Sequence, residues 1–216
     1  MRCILRYALG AIKVFNPRNY GLGEMVVVLT TSRDASTRLR QFINELELAV
    51  PNAVKVNRGR SGLVDLALNA LEMGARHIVV FNSFHGNPSS MVIYRIRENS
   101  LVKLPYVITL TGVKLLKDIL PSRPILGKAN TMVTVTQPGV QLALTLSEVF
   151  ESQLFYGSID EYRSYDSIMY IRPVKPGCCE VSFIDGLTYA PRGPIIRIRR
   201  FKEVNAPGLV VKRLRA

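Results

Sequence analysis

An α/β fold is predicted by three observations in one stretch. Residues 25–29 (MVVVL) are an apolar run. After a short polar loop, Leu39, Phe42, Ile43, Leu46 and Val50 recur at a 3.6-residue period. Residues 53–56 then return to a short strand-like segment. Ser36 suits the N-cap of the intervening helix, and Pro51 ends it. The order is therefore strand, loop, helix, strand, followed by the basic turn Asn57-Arg58-Gly59-Arg60.

The next elements follow by the same reasoning. A second helix is predicted over 62–73, with Val64, Ala67, Leu68 and Leu71 inward and Gly74 as a left-handed stop. The continuous apolar run 78–81 reads as a buried strand. A loop over 82–90 carries Gly86, Asn87 and Pro88, and residues 91–96 return as a hairpin partner. The polar interval 97–105 marks a boundary between an N-terminal half, 25–104, and a C-terminal half, 105–201. The second half predicts a strand at 106–111, a short helix at 113–120 stopped by Pro121, an exposed loop at 122–130 and a β-branched strand at 131–136. Pro138 opens a helix with Val140, Leu144, Leu146 and Val149 inward. Strands at 167–173, 178–184 and 194–201 follow, the first two joined by a Lys175-Pro176-Gly177 turn. The halves repeat an order of elements only loosely.

The chain of 216 residues is 48% hydrophobic, enough for a packed core. It carries 29 Lys and Arg against 16 Asp and Glu, a net +13. That balance favours nucleic acid, ribosomal particles or anionic membrane as partners. Cys3, Cys178 and Cys179 form no disulfide framework, which points to an intracellular, cytoplasmic protein. No apolar run approaches the roughly 20 residues of a membrane span, so no membrane partner is expected. Arg6 and Lys13 interrupt the apolar character of residues 1–15 and argue against a signal peptide.

Two basic constellations are candidate sites. In an open parallel sheet, loops at the carboxyl ends of strands line one edge, where such folds bind ligands. Arg33, Arg38, Arg40, Arg58 and Arg60, with Lys55 nearby, fall along that edge. Arginine suits phosphate because its planar fork binds two oxygens at once. The alternative is solvated arginines paired with Glu45, Glu47 or Asp65. The second constellation is residues 195–201, where alternation puts Arg197 and Arg199 on one face and Ile196 and Ile198 on the other, with Arg192 just upstream. Its alternative is an edge strand protected by charge. Residues 202–216 continue as a basic tail. The acidic stretch 158–167 reads as a solvated loop facing away from RNA, or else as a contact for a basic protein.

Signals for catalysis are poor. Ser122 stands where a Walker glycine would be, and Ala129 follows Gly127-Lys128, so there is no phosphate-binding loop of that type. His77 and His85 have no nearby thiol for zinc, and no metal or cofactor is expected. Asp34 and Asp65 are the one pair of carboxylates open to a metal-dependent nuclease reading, against capping roles. No aromatic-rich stretch of the kind used by sheet-stacking RNA domains occurs.

The segments LTTSRDASTRLRQF, PNAVKVNRGR and FHGNP resemble the Brix-domain family of ribosome-biogenesis factors, of archaeal type. The closest branch is the one that assists early processing of small-subunit ribosomal RNA. The resemblance runs over 25–201, most strongly up to Pro88. Residues 1–24 match nothing in it and read as an N-terminal extension, disordered or non-native, or as lying ahead of a start at Met25. The resemblance implies two similar halves, each a small mixed sheet with helices like the anticodon-binding domain of some aminoacyl-tRNA synthetases. It also implies a monomeric, non-enzymatic factor whose partners are precursor ribosomal RNA, a guide RNA and other ribosome-assembly proteins, nucleolar in a nucleated cell. Pro191-Arg192-Gly193-Pro194 resembles the family's glycine-proline-arginine signature, with the order altered by a glycine and a proline. The rival reading is a protein-interaction module in a pre-ribosomal particle.

Overall fold

The computed structural model describes residues 26–33, 35–59, 61–97, 100–122, 126–204 and the backbone of 209–213. In chain order the elements are β1 (Val26–Thr31), α1 (Thr37–Ala49), β2 (Ala53–Lys55), α2 (Leu63–Glu72), β3 (Ala75–Phe84), β4 (Asn87–Arg97), β5 (Ser100–Lys103) and β6 (Tyr106–Lys114). They continue with α3 (Leu116–Ile119), β7 (Met132–Thr136), α4 (Gln141–Val149), β8 (Gln153–Tyr156), a 3-10 turn (Ile159–Glu161), β9 (Ser167–Lys175), β10 (Cys178–Asp185), β11 (Ile195–Glu203) and β12 (Leu209–Arg213).

The two small sheets expected from the sequence are one sheet of twelve strands. Its main path is β2-β1-β3-β4-β6-β11-β10-β9-β7-β8, with β5 and β12 paired beside β4. This order reads alike from either end. At one end β1 lies parallel between β2 and β3, and β3 pairs antiparallel with β4. At the other, β7 lies parallel between β8 and β9, and β9 pairs antiparallel with β10. β6 and β11, antiparallel to each other, form the joint. Across it the Tyr106 and Phe201 rings stack at 5.4 Å.

Strand pleating divides the core. Val27 and Leu29 of β1 and Met169 and Ile171 of β9 point to one face, where α1 (Leu39, Phe42, Ile43, Leu46) and α4 (Leu142, Ala143, Leu146) cover the sheet in one apolar cluster. Val28, Ile78 and Val80 point the other way, under α2. Val133, Val135 and Ile168 do the same at the far end, under Phe155, Ile159, Tyr162 and Tyr165. Between those covers the second face is open: Val107, Thr111 and Lys114 of β6 and Arg197, Arg199, Arg200 and Lys202 of β11 are exposed.

Local signals explain most elements. Ser36 caps α1, accepting the Leu39 N–H at 3.1 Å, and Val50 closes it. Gly74 follows α2 at φ +74. Several expectations are corrected by long-range packing. α2 turns Leu66, Ala67 and Ala70 inward and leaves Leu71 43% exposed, because the helix lies over Val28 and Ile78 rather than along its most apolar stripe. The loop predicted over 82–90 is a tight hairpin in which Phe84 pairs with Asn87. The polar interval 97–105 contains β5, and Val113 and Lys114 extend β6, so the helix expected at 113–120 is only α3. α4 begins three residues after Pro138 and exposes Leu144 by 52%. β8 and β12 went unpredicted; each is a short strand whose partners lie elsewhere in the chain.

Candidate nucleic-acid interface

The first basic surface lies on the open face at the joint. In β11, Ile196 and Ile198 are buried and Arg197 and Arg199 exposed, as alternation requires. A register shift then leaves Arg199 without a partner on β6, and Arg200 pairs with Thr109. Such a bulge interrupts the pleat, so Arg199 and Arg200 are both exposed. Glu180 of β10 orders part of this surface. Its Oε1 accepts Nη2 and Nε of Arg172 at 2.6 and 3.1 Å, and its Oε2 accepts Nε of Arg197 at 3.2 Å. Burial pushes the Glu180 carboxyl up, but the hydrogen bonds from the two arginines outweigh it and hold the group below its ordinary range. Both guanidinium-bearing side chains remain 53% exposed. One carboxylate thus fixes two forks that still face solvent, with net charge +1 left over. Arg172, Arg200 and Glu180 were not among the sequence candidates. The alternation of 167–173 would have placed Arg172 opposite Ile171, but only strand pairing brings it beside Arg197.

The second surface is the strand-end edge. Thr31 pairs with Phe81, and Lys55 with Leu29, so β1, β2 and β3 all point their carboxyl ends the same way. Arg33 and Arg40 are exposed there and make no side-chain hydrogen bond or ion pair with a described residue. Arg58, half-buried, donates from Nε to the Ser61 carbonyl at 3.1 Å. It also lies close enough to Tyr94 to oppose the rise that burial imposes on the phenol. Arg60 and Asp34 lie outside the described residues. The tip of the β3–β4 hairpin closes this edge: Ser36 Oγ donates to the Gly86 carbonyl at 2.5 Å.

Three candidates are engaged by other parts of the protein. Arg38 donates to the Val113 carbonyl at 3.0 Å and pairs with Asp118 at 2.6 Å, tying α1 to β6 and α3. The Leu115 N–H and then Arg38 hold the Asp118 carboxyl low. Lys55 Nζ donates to Asn44 at 2.6 Å. Arg192 is corrected outright as a surface contact. The residue is 8% exposed, with Nη1 on Asp185 at 2.9 Å and Nη2 on the Gly127 carbonyl at 3.0 Å. It is buried because Gly193 threads where α1 meets β10: a Cβ there would lie 2.8 Å from Ala49 Cβ and 2.9 Å from Phe183 Cβ.

The remaining polar candidates have structural partners. Asp65 accepts the Gly62 N–H at 2.9 Å, capping α2. His77 is buried, and its Nε2 accepts from Arg95 Nε at 3.3 Å. Burial, then Arg95 and Arg76, lower its pKa to about 4. Among the described residues no cluster of three His, Cys, Asp or Glu is placed to hold a metal ion, and no helix is long and apolar enough to cross a membrane.

No family model matches the chain. Curated relatives do. A "Probable Brix domain-containing ribosomal biogenesis protein" of Sulfurisphaera tokodaii is 34% identical over 93 residues, 43% of this chain and 51% of that protein. One of the same name from Pyrobaculum aerophilum is 26% identical over 181 residues, 82% of this chain and 96% of that protein. The U3 small nucleolar ribonucleoprotein protein IMP4 of Saccharomyces cerevisiae is 40% identical over 73 residues, 34% of this chain and 25% of that protein. The matched part thus spans about half the length of the first of these relatives and a quarter of the last. Two crystal structures share the fold: a "probable ribosomal biogenesis protein" of Aeropyrum pernix (TM-score 0.66, 23% identity, covering 88% of this chain and 100% of that one) and Mil, an archaeal Imp4-like protein (TM-score 0.58, 21% identity, 82% and 99%). The fold and the shared residues agree with the resemblance read from the sequence: this chain is a homologue of the Brix domain-containing ribosomal biogenesis proteins.

Proposed function

We propose that the protein is a ribosome-biogenesis factor that binds precursor ribosomal RNA of the small subunit and does no chemistry on it. The observation that carries this reading is the uncovered centre of the sheet, where Arg172, Arg197, Arg199, Arg200 and Lys202 stand together on an open face. An apolar sheet face would need a cover; this one presents guanidinium groups instead. Arg33, Arg40 and Arg58 add a second contact at the strand ends. Both surfaces grip phosphate, and RNA shape supplies much of the selectivity. The bound RNA is held in a conformation suited to processing or to pairing with a guide RNA, in company with other assembly proteins. The protein acts as a monomer in the cytoplasm, or in the nucleolus of a nucleated cell. The division into halves at 104/105 serves this reading as two platforms on one scaffold.

Crosslinking the purified protein to RNA from its own cells tests the proposal. Crosslinks to small-subunit precursor RNA through peptides around Arg33–Arg58 and Arg197–Lys202 are expected. Crosslinks scattered over many RNAs, or tight capture of a protein beside weak RNA binding, would replace it with the protein-interaction reading.

A further inference from the structure

Phe84 is the most exposed large aromatic side chain among the described residues, at 68%. It sits at the tip of the β3–β4 hairpin, followed by His85 at φ +48 and Gly86 at φ +78. A two-residue turn with both φ values positive favours Asn-Gly or Gly-Gly. Histidine in that conformation is uncommon and strained, and such outliers mark places where the side chain has a use. Here the imidazole is held edge-on to the Phe84 ring, centroids 4.1 Å apart. The tip does not wave freely. Ser36, the cap of α1, bonds the Gly86 carbonyl, and Pro88 just behind the turn is buried. Asn87, exposed, donates from Nδ2 to the His85 carbonyl at 3.4 Å.

The hairpin reaches past the carboxyl end of β1, whose last residue, Thr31, pairs with Phe81. Phe84 therefore stands on the same edge as Arg33, with Arg58 on the neighbouring turn. A rigid, solvent-facing aromatic pair on the edge that carries the exposed Arg33 and the half-buried Arg58 matches the chemistry of unpaired nucleotides. Bases stack on the ring while cations hold the backbone, and any base has a face to offer. A duplex keeps its bases stacked on one another and has none to give. A partner protein would seal Phe84 in an apolar pocket, and the surrounding charge favours an anionic chain over that. We infer that Phe84 and His85 form a stacking site for an unpaired base of single-stranded RNA, with its flanking phosphates on Arg33 and Arg58. This rests on the RNA-binding reading above and specifies which RNA form engages this edge.

The chain contains no tryptophan, so Phe84→Trp introduces a single reporter at the site. Indole emission should be quenched by a short single-stranded oligonucleotide, with the midpoint given by the anisotropy of the same oligonucleotide carrying a label, and should not respond to a blunt RNA duplex. Phe84→Ala should weaken single-strand binding roughly five- to a hundred-fold and leave the salt slope unchanged, since no phosphate contact is lost. His85→Asn, which keeps the turn, should weaken it less. Oligonucleotide binding with unquenched indole, together with Phe84→Ala binding like the unmodified chain, would overturn the inference and spare the arginine surfaces. Absence of RNA binding by the unmodified protein would overturn both readings. Loss of a protein partner in Phe84→Ala with RNA binding intact would give the tip to that partner instead.

Discussion

The two ends of the sheet share one strand order and differ in almost every surface detail. At the β1–β3 end, a capped helix of 13 residues is bolted to a hairpin tip, and the turn after β2 carries Arg58. At the β7–β9 end, α4 follows Val140, which gives it no side-chain cap, and its neighbouring hairpin tip, Pro176-Gly177, leaves a cleft of about 290 Å³ against it. The turn after β8 carries Asp160 and Glu161, where the first end is basic. The crossover helix is 10 residues long at one end and a 3-10 turn of 3 residues at the other. Covering the sheet constrains only the inward residues, Leu39 and Leu46 in one helix, Leu142 and Leu146 in the other. The outward ones are free to diverge, so one scaffold carries a basic end and an acidic end.

The comparison extends to how each half is tied down, and there the largest effect is expected. Arg192→Met leaves Asp185 at the rim of the core without its cation and frees the Gly127 carbonyl. Breaking a buried pair from one side costs about 3–5 kcal/mol. The tether of α1, Arg38 to Asp118, is about a third exposed on both sides, and Arg38→Met should cost about 1 kcal/mol. Denaturant midpoints for the two variants measure this; equal losses would show that burial is not what distinguishes the tethers.

Next in size is a pH effect confined to the first end. His77 has a folded pKa of about 4 against 6.5 when free. Below pH 6.5 the unfolded chain takes up a proton that the folded chain refuses, so stability falls as pH drops from 6.5 towards 4. The shift corresponds to roughly 2–4 kcal/mol. The stability gap between His77→Gln and the parent should therefore move in favour of the variant across that window. Glu151, raised to about 7 by burial against the pull of Arg76, works with the opposite sign and is common to both proteins. A gap that stays constant with pH would refute the assignment.

The two proposed RNA surfaces should show smaller effects. Arg33→Ala with Arg58→Ala, and separately Arg197→Ala with Arg200→Ala, should each flatten the salt dependence of single-strand binding by at most about 1.4, at about 0.7 per phosphate contact. A pair that leaves the slope unchanged is not in the interface. Smallest of all, Asp160→Asn with Glu161→Gln should raise RNA affinity slightly and only at low salt, because the acidic turn repels at a distance. A loss of affinity would mean that the acidic end helps to orient the RNA.

The legible part of the fold was local. The period of Leu39, Phe42, Ile43 and Leu46, the cap at Ser36, the stop at Gly74 and the alternation of Ile196 to Arg199 all stand in the structure as read. β8 was invisible because four residues, Gln153 to Tyr156, are a strand only beside β7. Of the candidate site, Arg33, Arg40, Arg197 and Arg199 are exposed, whereas Arg38 and Arg192 are tied to partners far along the chain and Lys55 to Asn44 of the preceding helix. Arg172 joined the site through Glu180, a residue that no local pattern connects to it.

By itself, then, the sequence determined most of the strands and helices, the strong excess of positive charge and the two stretches where that charge gathers. These depend on spacing within a dozen residues, where side-chain period and backbone geometry are coupled. The tertiary structure decided which arginines are surface and which are ties, that the halves share one sheet, and that its centre is left uncovered. Arg38 meets Asp118 across 80 positions and Arg192 meets Gly127 across 65. Whether a guanidinium faces water or a carboxylate is set by such closures, and a side chain's own neighbours in sequence carry no record of them.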